Sequence, residues 1–355
     1  MIYFITASKD ATVYLQQSNQ NTGLDQILDI SKLYSGDTKY VSRAIIQFDI
    51  NHISQSISNG DIVLDTAVMT LRESESNEIP LDYTLYAYPI SGSWNMGIGT
   101  FGDGISIEGV TWNYRDGFAE SQWLSGSSFA PNTTGSYMGY GGVWYITPYM
   151  QQSFNYESSD ISMDIKPILQ SWLSGSIPNN GLILKHSFDT ENDLSEYGSI
   201  KFFSKETHTI HQPKLYIGWD DQIYSTGSMQ TLSNDEIKIG VSNLKKQYMV
   251  GDIPKLNIFA RYLYPLKIFS DTFQYDINYS LPAQTYYQIK DNLTDDIIIP
   301  FSDYSKISCD GTTNYIKINL CNWVSGRTYK IQFKTTINDN DVYFDDNLTF
   351  KIIEN

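Results

Sequence analysis

Short runs of β-branched and aromatic residues, each closed by a cluster of Gly, Asn, Asp or Ser, recur from one end of this chain to the other. That rhythm constrains the fold more than any other feature, because a run of four to eight such residues between turn formers reads as a strand. The stretches 43–48, 67–71, 83–88, 181–184, 200–203 and 214–217 are of this kind. Helical spacing occurs only at 165–173, where Ile165, Ile168, Leu169 and Trp172 recur before Ser174-Gly175. An all-β chain is therefore predicted, built as a β-sandwich with long loops.

At 355 residues the chain suits two domains rather than one core. The rhythm breaks in a polar stretch after Trp219-Asp220-Asp221 and restarts at Ile237, with fresh runs at 256–262, 286–289, 315–320, 329–333 and 348–353. This predicts a first domain over 1–220, a linker over 221–235 and a smaller, Ig-like β-sandwich over 236–355. Within the first domain, residues 92–149 lose the aliphatic alternation and become rich in Gly, Ser, Asn and aromatics, the composition of an elaborated loop that carries contacts.

Charge narrows the partners. There are 24 basic and 40 acidic residues, a formal net charge of −16, and 11 of the basic against 24 of the acidic residues lie before Asp221. Such a surface repels phosphate backbones and anionic lipid heads, so neither nucleic acid nor membrane is expected as a partner. No apolar run approaches the length of a membrane span, and the N-terminus, Met1-Ile2-Tyr3-Phe4-Ile5-Thr6, has no signal-peptide pattern, which predicts synthesis and folding in the cytoplasm. The two cysteines, Cys309 and Cys321, allow one bridge at most and are expected to be free and buried.

The chemistry-bearing motifs are weak. Gly97-Ile98-Gly99-Thr100-Phe101-Gly102 spells a dinucleotide fingerprint, but Asp103-Gly104 and Gly109 follow it where a helix N-terminus would have to meet the pyrophosphate. His208 and His211 stand in a loop entering a strand, with no cysteine or third histidine beside them. The doublets Asp220-Asp221, Asp295-Asp296 and Asp345-Asp346 place adjacent carboxylates on opposite faces of a strand, which is no pair for glycoside hydrolysis. No catalytic, cofactor or metal residue is assigned and the chain is expected not to be an enzyme; loop carboxylates leave room for a structural calcium. The one constellation that stands out is aromatic: Tyr137, Tyr140, Trp144, Tyr145 and Tyr149, interleaved with Gly135, Gly139, Gly141 and Gly142. Rings on a glycine-rich frame build sugar platforms and protein interfaces, and equally cover the edge of a sandwich.

Up to Ile217 the chain resembles the DNRLRE family, a jelly-roll-like β-sandwich related to carbohydrate-binding modules. The blocks that carry the resemblance are Arg43-Ala44-Ile45-Ile46-Gln47-Phe48-Asp49, Ala67-Val68-Met69-Thr70-Leu71, Leu85-Tyr86-Ala87, Trp94, Gly109-Val110-Thr111-Trp112-Asn113, Met163-Asp164-Ile165 before Trp172, Asn180-Gly181-Leu182-Ile183-Leu184, Phe202-Phe203-Ser204-Lys205-Glu206 and Pro213-Lys214-Leu215. The resemblance implies that Trp112 and Trp172 are core. The chain is longer than the usual module at 97–108 and 116–157, which puts an inherited sugar site in doubt. With its second domain, the chain looks like virion structural proteins of contractile-tailed marine phages, in phrases such as Gly198-Ser199-Ile200-Lys201-Phe202-Phe203 and Ile217-Gly218-Trp219-Asp220-Asp221. That implies a place in the virion and other virion proteins as partners, in multiple symmetric copies; the alternative is a module that binds host-surface glycan.

Overall fold

In the strand Tyr83–Pro89 every second side chain, Tyr83, Leu85, Ala87 and Pro89, is buried, while Thr84, Tyr86 and Tyr88 stay half-covered, as the two-residue period of a strand requires. The computed structural model describes residues 1–77, 82–102, 108–123, 133–135, 141–154, 160–232, 236–264 and 277–354. Strands of this kind dominate it, and the architecture is all-β and sandwich-like. The chain packs into two compact units, one of Ile5–Ile217 and one of Met1–Phe4 with Gly218–Asn355.

The first unit is organised by two long antiparallel strands, Ile2–Tyr14 and Thr38–Phe48, paired from Ala7↔Phe48 to Tyr14↔Ser42 with a bulge between Ala7 and Lys9. Thr38–Phe48 serves two neighbours. Its second half pairs with Leu182–His186, which pairs in turn with Tyr83–Pro89 and then the edge strand Met150–Phe154. Its first half pairs with Ile27–Ser35, followed by Gly198–Phe203 and a second edge strand, Glu73–Asn77. Lys214–Gly218, Thr66–Leu71 and Ile161–Asp164 continue the sheet beyond Ile2–Tyr14. The register sorts the faces: Ala44, Ile46 and Phe48 alternate with Arg43, Ile45 and Gln47, and the row Ala11, Ile45, Ile183, Tyr88 runs straight across four strands on the opposite face.

Among the described residues three α-helices interrupt the strands, Asn51–Ser58, Lys166–Leu173 and Phe188–Asn192. The second is the expected one, with Pro167 in its first turn and Ile168, Leu169 and Trp172 buried. The others escaped the periodicity because each buries a single side chain, which leaves no apolar stripe to read. Asn51–Ser58 buries only Ile53, and Phe188–Asn192 buries Glu191.

The second unit contains two five-stranded sheets. One runs Tyr224–Ser225, Ser308–Asp310, Asn314–Lys317, Lys255–Tyr262, Ile237–Val241, and the other Gln247–Met249, Asn340–Ile353, Thr328–Ile337, Thr285–Asp291, Ile297–Ile299. Ile239, Ile258, Ile289, Ile331, Phe333 and Phe350 are among its buried side chains. Its boundaries differ from the sequence expectation at both ends. The stretch read as a linker carries a strand, since Tyr224–Ser225 pairs in parallel with Ser308–Asp310, and Leu232 is buried. A two-residue strand held by side-chain bonds, such as Gln222 Nε2 to the Ile307 carbonyl at 3.0 Å, leaves no hydrophobic run to read. Cys309 is buried as expected, whereas Cys321 is only half-buried; both thiols are free.

Met1–Phe4 belongs to this unit too. Phe4 is buried, its ring 5.9 Å from that of Trp323, and its carbonyl accepts from Asn322 Nδ2 at 3.1 Å. Truncating a buried phenylalanine costs about 3–5 kcal/mol. Phe4→Ala is therefore expected to speed amide hydrogen exchange in Thr328–Ile337 and Asn340–Ile353, with exchange in Leu182–His186 unchanged; equal acceleration in both units would show that the N-terminal residues stabilise the chain another way.

Candidate functional site

The described residues of the long segment after Gly92 that are buried lie with Ile45 and Ile183 on one face of the sheet. Trp94, Val110, Trp112, Trp123, Val143 and Trp144 from this segment form one buried cluster with Ala11, Val13, Val41, Ile45, Ile90 and Ile183. Burying four indoles gives this layer a core of its own, at roughly 25 cal/mol for each Å² of apolar surface removed from water. Indole nitrogens are satisfied within it: Trp94 Nε1 donates to the Asn180 carbonyl at 2.8 Å and Trp123 Nε1 to that of Thr111 at 2.9 Å. Trp112 and Trp172 are both buried, as the resemblance implies.

Beneath the indoles sits a charge cluster that the sequence did not signal. The Arg43 guanidinium grips Glu191 with both arms, Nε to Oε1 at 3.0 Å and Nη2 to Oε2 at 2.7 Å, and Lys185 Nζ approaches the same Oε2 at 3.1 Å. All three are almost wholly buried. Arg43 Nη1 donates to the Gly141 carbonyl at 2.7 Å, and its Cζ lies 4.5 Å from the Trp112 ring and 5.3 Å from that of Trp144. Gly141 is needed for this approach: its φ is +76°, and a Cβ there would come within 2.7 Å of the guanidinium and of the Trp112 indole. Burial raises the Glu191 carboxyl, but Arg43 and Lys185 outweigh it and hold the group below its ordinary value. Burial lowers Lys185 to about 8 despite the Glu191 charge.

Of the aromatic residues singled out, Tyr137 and Tyr140 lie outside the described residues, and the other three separate. Trp144 is 4% exposed and belongs to the buried cluster, so it is a core residue rather than a contact anchor. Lys185 Nζ lies 5.2 Å from its ring, and Gly141 and Gly142 of the glycine-rich frame admit close packing. Tyr145 is half-buried. Tyr149 is 46% exposed and joins a group that includes two residues from the strand Tyr83–Pro89: its ring stands 5.7 Å from Tyr88 and 6.0 Å from Tyr86, whose own rings are 6.0 Å apart and nearly parallel at 12°. Tyr88 meets Trp144 at 5.9 Å. Alternation within 83–88 was the available signal for Tyr86 and Tyr88, since it puts both on the face away from Leu85 and Ala87. Burial pushes the Tyr88 phenol to about 12, so it stays a hydroxyl at any physiological pH.

Beside Tyr86 a groove of about 380 Å³ runs past Thr84, Ser153, Ser187, Thr190 and Tyr197. Next to it, His186 is buried between the rings of Tyr83, 6.3 Å away, and Tyr197, 5.6 Å away, with neither ring nitrogen hydrogen-bonded among the described residues. The other motifs resolve into turns and packing. His211 stacks on Phe203 at 5.5 Å, His208 is exposed, and Asp345 pairs with Lys330 at 2.7 Å. Among the described residues no three His, Cys, Asp or Glu side chains are grouped to hold a metal, and no helix is long and apolar enough to cross a membrane.

No family model matches the chain, and no curated protein matches it. Among solved structures it is similar to a DUF4785 family protein from Legionella pneumophila, with 11% identity over 99% of this chain and a TM-score of 0.20, and spans 62% of that protein's chain. A second likeness is to the tripod from the baseplate of bacteriophage Tuc2009, with 8% identity over 100% of this chain and 99% of the other and a TM-score of 0.16. At these scores neither likeness carries an argument.

Two outcomes follow from the buried charges. Glu191→Gln leaves Arg43 and Lys185 buried without their anion, and is expected to destabilise the first unit by about 3–5 kcal/mol in denaturant titration; a loss under about 1 kcal/mol would mean that the cluster is solvated. Burial lowers the His186 pKa to about 4, below the unfolded value near 6.5, so between those values the unfolded chain binds a proton that the folded chain does not. Its contribution is intact above that window and falls by about 3 kcal/mol as the pH drops through it. The stability difference between wild type and His186→Leu should shift by that amount from pH 7 to pH 4; a difference independent of pH would mean that the imidazole titrates in the folded chain as it does in the unfolded one.

Proposed function

We propose that this chain is a non-enzymatic structural protein of a tailed-phage virion, packing on neighbouring particle proteins in multiple copies, and that the surface formed by Tyr86, Tyr88 and Tyr149 is one of its contact sites. The observation that carries the reading is the seating of these rings. Tyr149 is 46% exposed and Ile146 beside it is also 46% exposed, yet the group leans on Trp144, whose position is set by a buried, charge-pinned core. Rigid, amphipathic rings backed by a core are the residues that anchor protein interfaces, because little conformational entropy is lost when they are covered. The phrase-level resemblance to virion proteins supplies the setting.

Glycan binding is retained as a second reading on one observation: Tyr86 also forms a wall of the groove whose other sides offer the hydroxyls of Thr84, Ser153, Ser187 and Thr190. The test is to change Tyr86 and Tyr149 to Ala, singly and together, and to measure both particle incorporation and binding to host-surface polysaccharide. Each substitution is expected to weaken incorporation by about 2 kcal/mol where the ring is fully covered in the particle. Normal incorporation with lost polysaccharide binding would replace the assembly reading by the glycan one.

A further inference from the structure

The glycine-rich loop 97–102, which binds no nucleotide in the reading above, has another task. Its backbone is drawn onto Asn21, which is fully buried: Asn21 Oδ1 accepts from Gly99 N at 2.8 Å, and its Nδ2 donates to the carbonyls of Met96 and Val110 at 2.8 and 2.7 Å. Gly97 has φ +77°, and a Cβ there would lie 2.1 Å from the Glu108 carbonyl oxygen. The loop ends where Phe101 N donates to Asp25 Oδ1 at 2.8 Å, and there the Phe101 ring stands 4.8 Å from that of Tyr14, tilted by 50°.

These rings wall a hollow of about 440 Å³. Its floor comes from one face of the strand Ile27–Ser35, which contributes Asp29, Ser31, Leu33 and Ser35 at every second position, and Tyr40, opposite Leu33 in register, closes the far side. Phe101 is 48% and Tyr40 40% exposed, so the rings are open to a ligand. The Asp29 carboxylate accepts from Ser199 Oγ at 2.9 Å, but no Lys or Arg among the described residues lies within ion-pair distance of it. Lys201, its cross-strand neighbour, has its ammonium on Glu75 at 2.7 Å. Burial, and after it the carboxylates of Asp29 and Asp25, push the pKa of the Tyr14 phenol up.

Ring faces are electron-rich and attract a cation that is too apolar to hold its water, and a half-buried carboxylate whose neighbouring cation, Lys201, is held on Glu75 adds to that attraction. A neutral polyol would leave the carboxylate uncompensated, and an anion would be repelled. We propose that the hollow between Tyr14, Phe101, Tyr40 and Asp29 binds a small organic cation, a methylated ammonium group.

The test is calorimetric titration of the full-length chain with choline and with its uncharged isostere, 3,3-dimethylbutan-1-ol. Choline is expected to bind roughly tenfold more tightly, and Tyr40→Ala and Phe101→Ala to weaken it by roughly three- to tenfold each. Asp29→Asn should erase the preference for choline over the isostere, and because Tyr40 and Phe101 are exposed, their variants keep the test valid should Asp29→Asn fail to fold. A trimethyllysine peptide and phosphocholine, which present the same head group on different carriers, distinguish a protein source from a lipid one. Equal affinity for the two isosteres, no choline binding up to about 50 mM, a ligand efficiency no site of this size would show, or choline binding unchanged by both ring variants would each overturn the proposal.

Discussion

The buried contact between Arg43 and Glu191 is the interaction on which the first unit depends. Glu191 reaches it from the short helix Phe188–Asn192, which is started by the Ser187 hydroxyl accepting from Thr190 N at 3.0 Å. Arg43 reaches it from the strand shared by both halves of the sheet. The pair therefore ties a helix, a central strand and, through the Gly141 carbonyl, the far end of the aromatic segment to one point. An ion pair of this kind contributes modest net stability, because desolvating the charges offsets much of their attraction. It acts more strongly on specificity: any arrangement that separates the partners leaves a bare charge among indoles.

That constraint explains how a glycine-rich segment can serve as a rigid layer. Trp112 and Trp144 flank the guanidinium and Lys185 lies against Trp144, so cations fill the space under the rings, while the rings keep water from the cations. The exposed tyrosines stand on this base. Their positions follow from the register of Tyr83–Pro89 against Leu182–His186, in which Tyr88 faces Ile183 and Tyr86 faces Lys185.

The strand framework was legible in the sequence because it rests on local alternation, and most of the runs read there lie within strands of the structure, 256–262 within Lys255–Tyr262 for one. The proposed contact surface was legible only in part. Five aromatics within thirteen residues drew attention to the segment that carries Tyr149, but their roles depend on which ring reaches the sheet, and that is decided by Arg43 and Glu191, 148 positions apart. No local pattern encodes such a contact. Arg43 stands in an apolar run, where its alternation with Ala44 and Ile46 marks it as facing away from them, and nothing nearby says that a second core lies on that side. The extent of the second unit was hidden for a related reason, since Ile2, Tyr3 and Phe4 look like the start of any strand, while Tyr3 and Phe4 meet residues more than three hundred positions away.

The edge strand Glu73–Asn77 bears on how the protein survives at high concentration. Among the described residues it pairs on one side only, with Gly198–Phe203, and four of its five residues are exposed. An unpaired edge is a template on which a second sheet can grow. Here its sequence is Glu-Ser-Glu-Ser-Asn, so two copies meeting edge to edge would set Glu73 and Glu75 of one against the same carboxylates of the other and would gain no apolar burial in return. Crowded copies of this chain are thereby kept from fusing their sheets into fibres at that border, and their association is left to side chains, whose geometry can be specified, rather than to the backbone, which pairs with any strand.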